Sequence, residues 1–267
     1  MRELSVRAVT GAIYVALTLG AAFAGKFTTF LLFLPVCIIA MREIHLLYWG
    51  EVEGPPIVWT MLMGATVYTT LGIGVFDEDW HMGYAIGIAF LLVLLTITSS
   101  LLQGDKHPAQ SLGGVLLGLL LVALPFGLLP HLFSFGPWMF IGFMVLLWTN
   151  DTGAYLVGRS IGRTKLLPSV SPKKTVEGVI GGIALTLGVA WLIARYQDFL
   201  SMPEWLTVAA IIAVTSTLGD LLESAFKRAK GVKDSGSILP GHGGILDRFD
   251  GFFLAIPSVS LYLHLVR

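Results

Sequence analysis

The chain of 267 residues contains one cysteine, Cys37, so no intrachain disulfide and no cysteine-built metal knuckle can form. Its place within an apolar run makes it a small hydrophobe facing core or lipid. Charge is also scarce: Asp, Glu, Lys and Arg make up 13% of the residues, against about 25% in soluble domains. The 17 basic and 17 acidic residues cancel, so no global field attracts nucleic acid. With 55% hydrophobic residues and a mean hydropathy of +0.81, the chain is neither a disordered tail nor an ordinary soluble globule. Internal repeats, low-complexity tracts and proline-rich linkers are absent from the sequence.

What the sequence has in abundance is long apolar runs. Nine fall at about 6–24, 27–48, 56–76, 82–102, 111–129, 137–157, 176–196, 204–228 and 251–266. Runs of this length read as transmembrane helices, since lipid offers no hydrogen-bond partner to an exposed backbone. The first, with Arg2 and Arg7 before it, also resembles a signal peptide, but a second apolar span follows at once. Only Gly25-Lys26 separates the two, which predicts a tight helical hairpin. The expected fold is therefore all-α: a polytopic integral membrane protein of about nine transmembrane helices. Residues 1–135 would form N-terminal scaffold helices and 136–267 a C-terminal catalytic region with cytoplasmic loops, in one continuous membrane domain.

Nine spans with an inward N-terminus place 13 basic residues on the inner side and three, Lys26, Arg195 and Arg267, on the outer side. The positive-inside rule then predicts a cytoplasmic N-terminus and active site, an outward C-terminus and location in the cell (inner) membrane. Residues 151–250 hold 20 of the 34 charged residues, so the chemistry is expected in that stretch.

Asp220, Glu223, Ser224 and Lys227 stand at helical spacing on one stripe of the eighth span. A charge deep in a bilayer costs roughly 2.5 to 3.5 kcal/mol even on the lenient scale, so this stripe requires compensation. A bound divalent cation would supply it, and so would an ion pair with Lys227 or Arg228. Ser171-Pro172-Lys173-Lys174-Thr175 puts two ammonium groups at the start of the seventh span, against the helix dipole. They fit a shared anion at that helix start or an ordinary positive-inside anchor. Asn150-Asp151 adds a further carboxylate, with Tyr155 one turn later. In the loop Pro240-Gly241-His242-Gly243-Gly244-Ile245-Leu246-Asp247-Arg248-Phe249-Asp250, the glycine pair permits positive φ and close approach of a ligand. A helical turn would turn Asp247 and Asp250 to one cation. Oxygen donors with a single histidine nearby suit Mg²⁺ better than Zn²⁺.

Ser224-Ala225-Phe226-Lys227-Arg228, Lys233-Asp234, Gly236, Leu239-Pro240, His242-Gly243-Gly244-Ile245 and Asp247-Arg248-Phe249-Asp250 closely resemble the signature of CDP-diacylglycerol synthases, the phosphatidate cytidylyltransferases, across its 27 positions. Asn150 to Tyr155, Ser171 to Thr175 with Glu177-Gly178, and Gly219-Asp220 look like further elements of the family. The specific likeness spans roughly 150–250; the N-terminal half agrees in hydropathy alone. It implies transfer from CTP to phosphatidate within the bilayer, with pyrophosphate released, dependence on Mg²⁺ with a monovalent cation such as K⁺ beside it, and a homodimer.

On that reading Asp220 and Asp247 hold Mg²⁺, with Asp250, Glu223 and Asp151 assisting. Lys173, Lys174, Lys227, Arg228, Lys233 and Arg248 hold the triphosphate and the lipid phosphate, with Ser224 beside them. His242 orients a phosphate or fixes the glycine turn. A CTP-dependent lipid kinase would use similar parts, and an ion or proton transporter would also place Asp151, Asp220 and Glu223 in the membrane. Asp220→Asn is expected to reach the membrane folded and lose most turnover; wild-type activity in that variant, assayed in isolated membranes, would refute a metal-holding role.

Overall fold

The computed structural model describes residues 2–50, 54–77, 79–239 and 243–266. Two compact units divide the chain: residues 1–131 with 234–248, and 132–233 with 249–267.

The first unit is built from α1 (Arg2–Ala24), α2 (Lys26–Trp49), α3 (Ile57–Ile73), α4 (Met82–Leu102) and α5 (Pro108–Gly118). Gly25, at φ +113°, is the single residue between α1 and α2, which gives the tight hairpin expected at Gly25-Lys26. The α5 helix continues through a π-helical turn, Leu119–Ala123, into α6 (Leu124–Leu128) and a 3₁₀ stretch, Leu129–Phe135. Pro125 is the second residue after the π turn; it has no N–H to continue an α-helical ladder, and a widened turn before it accommodates the missing bond. Packing centres on α2, whose Phe33, Cys37, Ala40 and Met41 are fully buried. Cys37 thus serves as a core hydrophobe. The Tyr68 hydroxyl of α3 donates to the Phe30 carbonyl at 2.7 Å while the two rings stack at 5.1 Å.

The second unit contains α7 (Pro137–Ile161), the strands β1 (Lys165–Leu167) and β2 (Ser171–Thr175), α8 (Val176–Tyr196), α9 (Met202–Ala229) and α11 (Phe252–Val266). A one-turn helix, α10 (Leu246–Phe249), precedes α11 in the chain. The antiparallel β1–β2 hairpin, with Lys165 opposite Thr175 and Leu167 opposite Ser171, departs from the expected all-α reading. Trp205, Phe140, Phe143 and Phe252 fill the core of this unit.

Among the described residues six helical stretches are long and apolar enough to cross a membrane: Lys26–Trp49, Gly83–Leu102, Pro108–Phe135, Pro137–Ile161, Val176–Tyr196 and Met202–Ala229. Shorter apolar helices at Val9–Ala24, Ile57–Ile73 and Phe252–Val266 occupy the other three expected positions.

Helices α7 and α8 approach closely because glycines line their contact. A Cβ at Gly178 would lie 2.7 Å from the Ala154 carbonyl oxygen, and one at Gly182 would lie 2.9 Å from the Asn150 carbonyl oxygen. Small residues are the usual means by which membrane helices bring their backbones together. Gly182→Ala is therefore expected to cost about 1–3 kcal/mol through overpacking and to lower the apparent Tm in detergent. Gly188→Ala, on the same helix but with open space around its added Cβ, should be neutral or gain up to ~1 kcal/mol from helix propensity. Equal Tm shifts in the two variants would contradict the close approach.

Candidate active site

In the second unit, a cavity of about 490 Å³ gathers side chains from four elements. Helix α7 supplies Asp151, Tyr155 and Arg159; β2 supplies Lys173 and Lys174; α9 supplies Asp220; and the turn before α11 supplies Asp250. The volume falls within the ordinary range for small-molecule sites. The α7–α8 glycine contact sets one wall, and the hairpin sets another. The Arg159 guanidinium donates to the Tyr155 hydroxyl at 3.0 Å.

Thr175, the last residue of β2, caps α8 by accepting the Gly178 N–H on its Oγ1 at 3.1 Å. Glu177 in the first turn accepts the backbone N–H groups of Arg163 and Thr164 at 3.0 and 3.1 Å. The lysines therefore precede the helix on an extended strand, and the charge at the helix start is a carboxylate, which the dipole favours. This revises the sequence-based placement of Lys173 and Lys174 within the helix N-terminus, while keeping both on the cavity.

On α9 the charged stripe is compensated by ion pairs. Lys174 pairs with Asp220, and Lys227 with Glu223 one turn away. The Ser224 hydroxyl donates to Asp220 Oδ1 at 3.2 Å. Glu223 and Lys227 are 5% and 8% exposed, so this second pair is buried. The Arg228 guanidinium donates to the Val232 carbonyl at 3.0 Å and the Val170 carbonyl at 3.4 Å. Lys233 is exposed.

Asp250 lies in the turn ahead of α11, outside the spanning helices. Burial of its carboxyl, with the negative charges of Asp220, Asp151 and Glu223 around it, pushes its pKa well above the usual carboxylate range. A cation in this neighbourhood would relieve that repulsion. Among the described residues no three His, Cys, Asp or Glu side chains form a ready-made metal cage. Mg²⁺ rarely needs one: it keeps waters and takes one or two carboxylates together with substrate phosphates. The oxygen-only donors Asp220, Asp250 and Asp151 on the cavity therefore fit Mg²⁺, and Lys173 and Lys174 line the same space.

The remaining expected residues lie in the glycine loop of the first unit. Asp247 Oδ2 accepts the Gly244 N–H at 2.7 Å and the Ser235 N–H at 2.9 Å, and lies 3.0 Å from Ser235 Oγ. Gly243 adopts φ +80°, the positive φ expected of the glycine pair. Helix α10 runs from Leu246 to Phe249, so Asp247 lies within the turn while Asp250 falls beyond it and lines the cavity of the second unit. The expected shared face of Asp247 and Asp250 is not formed by this helix. Arg248 is exposed, and His242 lies outside the described residues.

Sequence reasoning missed Glu43, a carboxylate on α2 that is 1% exposed and accepts the N–H groups of Ile245 at 3.0 Å and Leu246 at 2.9 Å. Its signal was available: an acid inside an apolar run carries the same cost that drew attention to Asp220.

This combination of apolar helices with an acid-and-lysine cavity coincides with a match to the cytidylyltransferase family over residues 5–266, and the chain belongs to that family. It is 32% identical over 262 residues to the phosphatidate cytidylyltransferase of Staphylococcus haemolyticus (strain JCSC1435), covering 97% of this chain and 99% of that one. Likeness to the phosphatidate cytidylyltransferase of Bacillus subtilis (strain 168) is 31% over 278 residues, 99% of each chain. A stretch of 121 residues is 50% identical to the enzyme of the same name from Staphylococcus aureus (strain COL), covering 45% of this chain and 46% of that one.

Removing one partner of the buried Glu223–Lys227 pair takes away the ion pair that offsets the desolvation of the other charge. Lys227→Met is expected to destabilise by about 3–5 kcal/mol, whereas Lys227→Met with Glu223→Leu should recover most of that loss. Apparent Tm values of the two variants in detergent check this; a double variant no more stable than the single would contradict it.

Proposed function

We propose that this chain transfers the cytidylyl group of CTP to phosphatidate, giving CDP-diacylglycerol and pyrophosphate. The observation that carries the reading is the meeting of Lys173 and Lys174 with Asp151, Asp220 and Asp250 in one cavity of an apolar, membrane-type chain. Near-full-length likeness to phosphatidate cytidylyltransferases supports it. Neither a lipid kinase nor a transporter gains support from these relatives.

A phosphate oxygen of phosphatidate attacks the α-phosphorus of CTP; the new P–O bond forms as the bond to the β-phosphate oxygen breaks, and pyrophosphate departs. Phosphatidate is already anionic, so no strong base is needed. The obstacle is repulsion between two polyanions, which fixed cations answer by holding phosphates in line. Lys173 and Lys174 hold the triphosphate, and the Lys174–Asp220 pair keeps that ammonium on the cavity until phosphate competes for it. Mg²⁺, held by Asp220 with Asp250 and Asp151, would neutralise charge on the transferring and leaving phosphates. Roles for Asp247 and Glu223 as further metal-holding acids, and for Lys227, Arg228, Lys233, Arg248, His242 and Ser224 at the phosphates, rest on the motif resemblance.

The same proposal includes nine spans, a cytoplasmic N-terminus and active site, an outward C-terminus, a homodimer and a K⁺-type ion beside Mg²⁺. The split of basic residues supports the orientation.

Purified protein incubated with phosphatidate, Mg²⁺ and CTP labelled at the α- or γ-phosphate is expected to place only α-label in lipid and to release pyrophosphate. Label from the γ-position would mean a kinase, and none from either would refute transfer. In the same assay Lys173→Ala with Lys174→Ala should raise the KM for CTP by about tenfold or more per lysine, the value of a lost charge-assisted hydrogen bond. Unchanged kinetics would make the two lysines membrane anchors.

A further inference from the structure

Glu43 belongs to a run that reads as scaffold, yet its carboxylate has specific work on a loop about 200 residues later. Oε1 accepts the Ile245 N–H at 3.0 Å; Oε2 accepts the Leu246 N–H at 2.9 Å and lies 3.0 Å from Ser235 Oγ. The loop is shaped to admit it. A Cβ at Gly236 would lie 2.7 Å from Glu43 Oε1, and one at Gly244 would collide with Ser235 Oγ and Glu43 Oε2. Any larger residue at either position would push the loop off the carboxylate.

The Ser235 hydroxyl also lies 3.0 Å from Asp247 Oδ2. A hydroxyl carries one proton and so donates to one carboxylate oxygen at a time. Glu43 and Asp247 therefore compete for one donor, and the position of each constrains the other. The same Asp247 oxygen takes two loop N–H groups, so Glu43, Ser235 and Asp247 form one connected polar network inside the first unit.

We infer that Glu43 is a positioning residue for the cytidylyl-transfer reaction, orienting Asp247 through Ser235 Oγ and the Ile245 and Leu246 amides. The inference rests on the proposed function, in which Asp247 serves the Mg²⁺-dependent step. Groups that orient a metal-holding side chain are typically worth 10- to 100-fold in metal affinity or activity.

Glu43→Gln keeps the side-chain size but turns one acceptor into a donor facing an N–H. In purified full-length protein it should lower kcat 10- to 100-fold, raise the Mg²⁺ concentration for half-maximal rate, and speed tryptic cleavage after Lys233 or Arg248 in the absence of metal. Ser235→Ala spares the Glu43 amide bonds. It should leave the apparent Tm and the KM for CTP as in wild type while lowering kcat about tenfold. Combining the two should cost no more than Glu43→Gln alone, since both break one path. Wild-type kcat and Mg²⁺ dependence in Ser235→Ala, fully additive losses, or unaltered cleavage in Glu43→Gln would each overturn the inference. Should wild-type protein transfer no cytidylyl group, the functional reading fails, and the cleavage comparison alone then decides whether Glu43 holds the loop.

Discussion

A carboxylate placed among apolar helices must be met by hydrogen-bond donors or by a cation, because desolvation there costs several kcal/mol per charge. Glu43, Glu223, Asp220 and Asp250 meet this demand differently. Glu43 is met by two backbone amides and a hydroxyl, Glu223 by Lys227 on the next turn, and Asp220 by Lys174 from a distant strand. Asp250 has acids for neighbours. The first two arrangements are self-contained within their units. At Asp220 and Asp250 the balance involves a partly exposed lysine and carboxylates crowded together at a cavity, where a ligand can change it.

That difference separates architecture from chemistry. A buried pair such as Glu223–Lys227 holds two successive turns of one helix together away from solvent. Lys174–Asp220 lies at the cavity, with side-chain exposures of 25% and 30%, so phosphate can compete for the ammonium and a divalent cation for the carboxylate. Joining a water-soluble triphosphate to a membrane lipid calls for such a place: charged enough for phosphates, and enclosed by helices that lipid can surround.

The helices were legible in the sequence because length and hydropathy suffice to locate them, and the Gly25 hairpin because two residues cannot span more than a tight turn. The carboxylates and lysines of the cavity were legible because charges in apolar runs carry a visible penalty. Their partners were not. Helical spacing pointed from Asp220 to Lys227 or Arg228, but its partner, Lys174, comes from a strand, and no local pattern encodes that encounter. The β1–β2 hairpin escaped notice because its strands are three and five residues long and its neighbouring loop is tied down by Glu177. Glu43 was passed over because its partners are main-chain amides, which no residue type announces. The Gly243-Gly244 pair read as a turn former, although what Gly244 and Gly236 mainly provide is room for Glu43.

On the proposed function, the cavity bounded by α7, β2 and α9 receives the nucleotide. The one native cysteine, Cys37, is fully buried, so Thr217→Cys, a change of similar size on α9, introduces a single thiol at the cavity wall. Its rate of modification by a charged maleimide, measured with and without CTP and Mg²⁺, tests the claim directly. Ready modification of the free protein and strong protection by CTP with Mg²⁺ are expected. A thiol that reacts at the same rate in saturating CTP and Mg²⁺, in protein that still turns over substrate, would contradict it.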